Sequence, residues 1–274
     1  MVANLAALGA TVICVGVVGN DGDGFMLRQG LDAFGADDSL LFSTPNRPTP
    51  TYTKPTLRND DGSLRELERL DIRSRDPLPA QFTEQIAHTL LTLAHNCDAI
   101  IFADQMPEPG CGVIDAHIHS AIANIAKNNP NILMLADSRQ RIGDFKNVIV
   151  KPNLHEACGA CAISESSENA QHAAAMLSSR TTSPCVITLG GDGVLVYANG
   201  ICETIAALPV DCPIDIVGAG DSVMAALTMS LVSGASLAEA AQIAMLVAGV
   251  TIRKLGTTGS ATVEEIHAIY TRYQ

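Results

Sequence analysis

Residues 215–222 read Asp215-Ile-Val-Gly-Ala-Gly-Asp-Ser222, and the interpretation of the whole chain depends on this stretch. It opens a segment in which apolar residues recur at helical spacing, so we expect a helix to begin there. Gly218 and Gly220 allow a tight turn and a close approach of backbone N–H groups to a ligand. Those N–H groups and the positive end of the helix dipole favour an anion, above all a phosphate. Asp221 adds a carboxylate that can accept a proton from an attacking hydroxyl.

Two interpretations of this turn remain open from spacing alone. One is a glycine-rich turn capped by Asp221, because short glycine motifs recur in many proteins. The other is a site of phosphoryl transfer, in which a carboxylate base lies beside an anion cradle. The sequence contains no G-x-x-x-x-G-K-[ST] motif, which excludes a P-loop kinase.

Composition limits the classes of protein to which the chain can belong. Its 274 residues allow one large α/β domain or two small ones, and 47% hydrophobic residues are sufficient for a core. A net charge of −12 argues against a nucleic-acid or anionic-membrane partner. No apolar stretch has the length of a membrane span, and no signal peptide is recognisable. The eight scattered cysteines are typical of buried free thiols, so we expect a reduced, cytoplasmic protein.

Strand and helix patterns alternate along most of the chain. The β-branched run 11–18, the glycine turn 19–24 and a helical pattern after it predict a strand, a turn and a helix. Similar alternation from residue 82 onward, including a helix at about 111–127, predicts a parallel sheet with helices on both faces. The proline-rich segment 45–75 contains the turn signal Asn59-Asp-Asp-Gly62, and it predicts a small β lid. We therefore expect one domain covering residues 1–274.

Two further motifs follow predicted strands. Asn153-Leu-His-Glu156 opens a helical segment, where Asn and Glu three positions apart are typical of a helix cap. A carboxylate at this place also suits Mg²⁺ beside a triphosphate. Thr188-Leu-Gly-Gly-Asp-Gly193 is a strand end against which a nucleotide can lie, and a hairpin turn is the alternative.

Taken together, these motifs resemble those of the PfkB (ribokinase-like) carbohydrate kinases over residues 4–261, most densely after residue 151. The resemblance implies a ribokinase-like three-layer α/β sandwich, with a mostly parallel sheet, helices on both faces and a small β lid. It also implies ATP- and Mg²⁺-dependent phosphorylation of a sugar or sugar-phosphate hydroxyl. Asp221 would be the general base, and Gly218, Ala219 and Gly220 would form the anion hole.

The resemblance assigns roles to further residues. Glu156 would orient Mg²⁺ or its waters, and Asp215 would orient the turn or help a monovalent cation to bind. Residues 67–71 resemble the heptose-phosphate kinase branch, the kinase half of bifunctional ADP-heptose synthase, so Arg69 is a candidate substrate contact; a solvated arginine on an edge strand is the alternative. Asn4 is a second candidate sugar contact, and a homodimer through the lid is expected by analogy. The implied nucleotide-binding residues are Asn153, Leu154, His155, Glu156, Thr188, Gly190, Gly193, Asp215 and Ser222.

The chain departs from the family pattern in two places. Its start, Met1-Val-Ala-Asn4, resembles the end of a Gly-Gly motif, so the resemblance implies that the family's N-terminal strand and glycine pair lie outside this sequence. Either the natural protein starts further upstream, or this is a shortened form with impaired substrate binding. Asp104-Gln-Met106 differs from the Asp-Tyr-Gly-Lys-Gly of the heptose branch. A degenerate relative that binds nucleotide or a partner without turnover is therefore the alternative. Heptose phosphate, fructose, ribose and nucleosides all remain open as acceptors.

Overall fold

The computed structural model describes residues 1–273 and, at Leu64, the backbone alone. The helices are α1 (Val2–Ala7), α2 (Gly22–Ala33), α3 (Ala80–Leu93), α4 (Ala116–Asn128), α5 (Leu154–Cys161), α6 (Ala170–Thr181), α7 (Ala219–Val232), α8 (Leu237–Thr251) and α9 (Val263–Tyr273). The strands are β1 (Ile13–Gly19), β2 (Asp37–Thr44), β3 (Thr51–Thr53), β4 (Thr56–Arg58), β5 (Leu64–Glu66), β6 (Leu70–Ile72), β7 (Ala99–Asp104), β8 (Leu133–Ser138), β9 (Ile149–Val150), β10 (Cys185–Thr188), β11 (Val194–Ala198) and β12 (Ile201–Ile205).

A six-stranded sheet with the order β12-β11-β10-β9-β8-β7 forms the centre of the fold. Strands β7 to β10 run parallel, while β11 and β12 complete the sheet as an antiparallel hairpin. Because the carboxyl ends of parallel strands meet at one edge, the residues that end or follow β7, β8 and β9 lie side by side. These residues include Asp104, Asp137 and Lys151.

Strands β1 and β2 form a separate parallel pair. Both β1 and β7 are largely apolar runs of the kind found in strands that are covered on both faces. Within the described residues, β1 pairs with β2 alone and β7 with β8 alone.

The segment predicted as a lid contains four strands in two antiparallel pairs, β3 with β6 and β4 with β5. The predicted turn at residues 59–62 closes the β4–β5 pair, and the Asn59 N–H donates to the Ser63 carbonyl at 2.9 Å. Each lid strand is only three residues long. Several apolar side chains of these strands face solvent, among them Leu57, Leu70 and Ile72.

Two apolar clusters cover the two faces of the six-stranded sheet. One contains Ile118, Phe145 and Leu177, and the other contains Met224 and Val247. Helix α4 begins later than its pattern predicted, because the Asp115 carboxylate accepts the Ile118 N–H at 2.9 Å and caps the helix there. All eight cysteines are free thiols, but only Cys111, Cys158 and Cys185 are buried, and Cys212 is exposed. No helix within residues 1–273 has both the length and the hydropathy that crossing a membrane requires.

Candidate active site

The glycine turn before α7 has the tight geometry that its sequence predicted. Gly218 is the N-cap residue of α7, with a φ of 83°, which lies in the left-handed region that favours glycine. A Cβ atom at Gly218 would lie 2.4 Å from Cγ2 of Thr258. Both the backbone conformation and the neighbouring side chain therefore require glycine here.

The turn presents unpaired backbone donors. Within the described residues, the N–H groups of Gly218, Gly220 and Asp221 have no acceptor. The Ala219 N–H donates to the Ile216 carbonyl at 3.1 Å. The open donors thus differ from the set predicted for an anion hole, because the N–H of Asp221 is open and that of Ala219 is engaged.

Asp221 lies in the first turn of α7, with 44% of its side chain exposed. Its Oδ2 atom is 3.6 Å from the N-terminal amine of Met1. The next residue, Ser222, is fully buried, and its hydroxyl donates to the Ala219 carbonyl at 2.8 Å and lies 3.1 Å from Oγ1 of Thr251. Ser222 thus fixes the helical turn that carries Asp221, while a nucleotide contact by Ser222 stays a prediction.

Asp215 ties the turn to the segment that follows α8. Its carboxylate accepts the Val217 N–H at 3.0 Å and the Gly256 N–H at 3.2 Å. The Asp215 N–H in turn donates to the Ile252 carbonyl at 2.8 Å. These bonds support the first of the two predicted roles, orientation of the turn.

Lys151 and Asp137 form a buried ion pair next to the turn. The Lys151 side chain is 3% exposed, and its Nζ lies 2.9 Å from Oδ2 of Asp137. The position that a Cβ atom would take at Gly220 is 3.7 Å from the same Nζ. Sequence reasoning assigned no role to either residue, although each is a charged residue at or just after the end of an apolar strand.

Helix α5 begins with the capping box that its sequence predicted. The Asn153 side chain accepts the Glu156 N–H, and the Glu156 carboxylate accepts the Asn153 N–H, both at 2.8 Å. Burial raises the pKa of Glu156, and Asp137 raises it further against the opposing effects of the Asn153 N–H, Lys151 and Arg139. A cation near Glu156 would offset the cost of its negative charge.

The two predicted nucleotide motifs lie next to each other. Asn153 and Thr188 form an isolated parallel bridge, and the Thr188 N–H donates to the Pro152 carbonyl at 3.0 Å. Gly190 and Gly193 have φ values of 62° and 99°, and a Cβ atom at Gly193 would lie 2.1 Å from the Ile205 carbonyl oxygen. We call the surface formed by residues 137, 151–156, 188–193 and 215–222 the phosphate end.

Leu154 and His155, the two central residues of the 153–156 motif, differ in burial. Leu154 is partly buried and packs against the apolar cluster that contains Ile118. His155 is exposed, and its Nδ1 lies 2.8 Å from Oε2 of Glu165. Contact with a nucleotide stays a prediction for both residues.

A cavity of about 170 Å³ lies across the gap between β1 and β7. Its lining includes Val17 and Val18 at the end of β1, Asp104 at the end of β7, and Tyr52 of the lid. The Tyr52 hydroxyl is buried and has no hydrogen-bond partner among the described residues. We call β1, β2, the lid strands and this cavity the acceptor end.

Arg69, the predicted substrate contact, lies beside the cavity. Its guanidinium carbon is 5.0 Å from the centroid of the Tyr52 ring, and that of Arg139 is 5.3 Å from the same centroid. Arg69 also donates to both carboxylate oxygens of Asp71, at 2.6 and 2.8 Å. Arg69 is therefore held in place near the cavity, which keeps both of its interpretations open.

Asp104 and Asn4 are held by other parts of the protein. The Asp104 carboxylate accepts hydrogen bonds from Arg141, at 2.7 and 3.1 Å, and from the Ser138 hydroxyl at 2.6 Å. Asn4 is 1% exposed, and its Nδ2 donates to the Gly259 carbonyl at 3.2 Å. Its Oδ1 has no partner among the described residues, and contact with a sugar stays a prediction.

Comparison with known proteins identifies the family. The sequence profile described as pfkB family carbohydrate kinase matches residues 1–264. The chain belongs to the pfkB family of carbohydrate kinases. This membership confirms the expected enzyme class, a phosphotransferase that acts on sugars.

Individual pfkB relatives agree with this result. The chain is 28% identical to Bifunctional protein HldE of Helicobacter hepaticus over 278 residues, which cover 99% of this chain and 55% of that protein. It therefore spans about half the length of the curated relatives it matches. The fold is similar to Arabidopsis thaliana ribokinase complexed with ribose and ATP, with a TM-score of 0.76 and 18% identity over 98% of this chain and 84% of that one.

Escherichia coli phosphofructokinase-2 in complex with potassium is similar to the same degree, with a TM-score of 0.77 and 18% identity over 99% of this chain and 85% of that one. At such identities the likeness shows the fold alone, and it confirms the predicted ribokinase-like α/β sandwich.

Proposed function

We propose that this pfkB kinase transfers the γ-phosphoryl group of ATP to a hydroxyl of a sugar or sugar phosphate. The observation that carries the proposal is the first turn of α7, where unpaired N–H groups and the Asp221 carboxylate occupy one place. A site for anion binding alone gains nothing from a carboxylate, because the two negative charges repel each other. Transfer of an anionic group to a hydroxyl needs both components.

The proposed step uses each component once. The acceptor oxygen forms a bond to the γ-phosphorus while the bond from that phosphorus to the β,γ-bridging oxygen breaks, and the bridging oxygen leaves on ADP with the electron pair. Asp221 receives the proton of the acceptor hydroxyl. The N–H groups of Gly218, Gly220 and Asp221 donate to the oxygens of the transferring group, since phosphoryl transfer depends mainly on positioning and charge stabilisation.

The phosphate end supports ATP and Mg²⁺ as cofactors. ATP would lie along Asn153, Thr188 and Gly190, with its phosphates toward Gly220. Glu156 would hold Mg²⁺, which neutralises phosphate charge when bound. The donor set fits this ion, because Mg²⁺ takes one or two carboxylates together with phosphates. A monovalent cation near Asp215 remains part of the proposal.

The cavity at the acceptor end suits the sugar. Asp104 and Lys151 are associated with β7 and β9, which are two strand spacings apart, so the cavity lies roughly 10 Å from the Lys151 strand end. Arg69 would contact the acceptor from the lid, and Asn4 would do so after rearrangement of its bond to Gly259. The exposed apolar residues of the lid support a homodimer formed through that face.

The proposal is tested by ADP release from Mg-ATP with a panel of sugars, nucleosides and sugar phosphates, including heptose 7-phosphate. We expect turnover with at least one acceptor and a loss of about 10²–10⁴-fold in Asp221→Asn, the usual contribution of a general base. Asp32→Asn is the matched control, because it removes the same charge from the exposed far end of α2. Equal rates in Asp221→Asn and Asp32→Asn would refute the role of Asp221.

One observation favours a second candidate, a protein that binds nucleotide without turnover. Among the described residues, no strand pairs with the free edges of β1 and β7 at the acceptor end, whereas β8, β9 and β10 are paired on both sides. The second candidate predicts tight binding of Mg-ATP and no phosphorylated product with any member of the panel. Phosphorylation of any acceptor would eliminate it.

A further inference from the structure

The buried ammonium group of Lys151 lies against the glycine turn in an unusual electrostatic setting. A lysine is rarely buried to this extent unless it is paired, and Asp137 supplies the pairing, with 13% of its own side chain exposed. The ammonium lies close to Gly220, whose N–H is unpaired at the positive end of α7. Two positive features thus lie close together, and Asp137 is the one carboxylate within ion-pair distance of Lys151 among the described residues.

The pair does not have the properties expected of a simple stabilising contact. Buried ion pairs contribute little net stability, because desolvation of both ions offsets their attraction. Here the helix N-terminus adds a further cost to a nearby positive charge. Because Gly220 has no side chain, nothing of its own covers the ammonium on the side facing the turn. An anion bound at the turn would remove the electrostatic conflict.

We infer that Lys151 is a catalytic residue, whose ammonium donates a hydrogen bond to an oxygen of the γ-phosphoryl group while that group is transferred. The inference rests on the proposed phosphoryl transfer. No bond to Lys151 forms or breaks, and its proton stays on Nζ throughout. Asp137 is then a positioning residue, which holds the ammonium under the turn until the phosphates arrive.

The first test compares Lys151→Met with the wild type. We expect kcat to fall by about 10²–10³-fold, the usual effect of removing one transition-state donor. The affinity for ADP, which has no γ-phosphate, should stay within about threefold of the wild-type value, while the preference for ATP over ADP is lost. Lys127→Met is the control, because this exposed lysine lies in the last turn of α4.

A double variant separates catalysis from folding. Lys151→Met leaves Asp137 as an unpaired buried charge, whereas Lys151→Met with Asp137→Asn removes both charges and should regain thermal stability. If Lys151 is catalytic, the double variant stays as slow as Lys151→Met. Recovery of kcat in the double variant, or an unchanged ATP-to-ADP preference in Lys151→Met, would overturn the inference.

The two proposals fail in different ways. Absence of turnover in the wild type with every acceptor would contradict the proposed function, and the ratio of ATP to ADP affinity would still decide the role of Lys151. An active wild type with an equally active Lys151→Met would contradict only the role of Lys151.

Discussion

The phosphate end and the acceptor end differ in how completely their strands are paired. At the phosphate end, β8, β9 and β10 are paired on both sides, and Asp215, Asn153 and Glu156 all accept backbone N–H groups. At the acceptor end, β1 and β7 each leave one edge without a partner strand among the described residues, and the Tyr52 hydroxyl is unpaired. The surface proposed for ATP is thus built on strands that are paired on both sides, while β1 and β7, next to the cavity proposed for the sugar, are each paired on one side among the described residues.

The largest effect on stability is expected at the boundary between the two ends. Arg141→Met leaves the Asp104 carboxylate, only 1% exposed, without its charged partner. Breaking a buried pair in this way costs about 3–5 kcal/mol of unfolding free energy. Urea denaturation measures the loss.

The control for this prediction is Lys54→Met in the lid. Lys54 pairs with Glu66 at 3.2 Å, and both side chains are largely exposed. Such surface pairs contribute about 0–1 kcal/mol. Equal losses in Arg141→Met and Lys54→Met would show that the Asp104 pair is solvated and that the two regions do not differ in this respect.

A smaller effect is expected at the glycine turn. Gly218→Ala adds a methyl group 2.4 Å from Cγ2 of Thr258 and forces alanine into a positive φ. The left-handed conformation alone costs about 1–2 kcal/mol, and the overlap displaces the anion hole, so kcat/KM for ATP should fall as well. Thermal denaturation and steady-state kinetics together measure both effects.

The matched control for the glycine turn is Gly35→Ala. Gly35 also has a positive φ, but no atom lies within 4 Å of its Cβ position. Gly35→Ala should therefore lose stability through its backbone conformation, with no change in kcat/KM for ATP. A Gly218→Ala variant with wild-type kinetics would mean that the turn tolerates displacement.

The smallest effect is a pH dependence of stability from His119. Burial lowers the pKa of His119, an effect that Arg141 increases and that Asp144, Asp104 and Asp115 oppose. The folded-state pKa of His119 lies below the unfolded value of about 6.5, so folding favours the neutral ring. The stability that His119 contributes is therefore fully present above pH 6.5 and is lost as the pH falls through the folded-state pKa.

The His119→Leu variant should flatten this pH dependence, which urea midpoints between pH 5 and pH 8 would show. Neither ring nitrogen of His119 has a hydrogen-bond partner among the described residues, so leucine should cost little at pH 8. His117→Leu changes an exposed histidine on the same helix and should keep the wild-type profile. If the urea midpoint of His119→Leu still changes with pH as it does in the wild type, a group other than His119 causes the pH dependence.

The parts of the fold that sequence predicted are those encoded by neighbouring residues. The turn before α7, the capping box of Asn153 and Glu156, and the hairpin turn at residues 59–62 each depend on contacts within a few positions. Local signals of this kind determine backbone conformation directly, so they can be recognised without knowledge of the tertiary structure. The functions that were assigned to the same motifs remain predictions.

The interactions that sequence reasoning missed join residues far apart in the chain. Lys151, which follows β9, pairs with Asp137 on the neighbouring strand β8. Arg141, which follows β8, pairs with Asp104 at the end of the neighbouring strand β7. Strand order decides such pairs, and the periodicity of a single segment does not specify strand order. A charged residue at or directly after the end of an apolar strand was the available signal, and it was present at Asp104, Asp137 and Lys151.

The most direct measurement is transfer of the γ-phosphoryl group from ATP to the best acceptor by wild type and Asp221→Asn, with ATP affinity measured in both. We predict that ATP affinity stays within about threefold, while the transfer rate falls by about 10²–10⁴-fold, because Asp221 acts on the acceptor proton and not on ATP binding. Transfer at the wild-type rate by Asp221→Asn would contradict the assignment of the base. Tight ATP binding with no transfer in either protein would contradict the proposed activity itself.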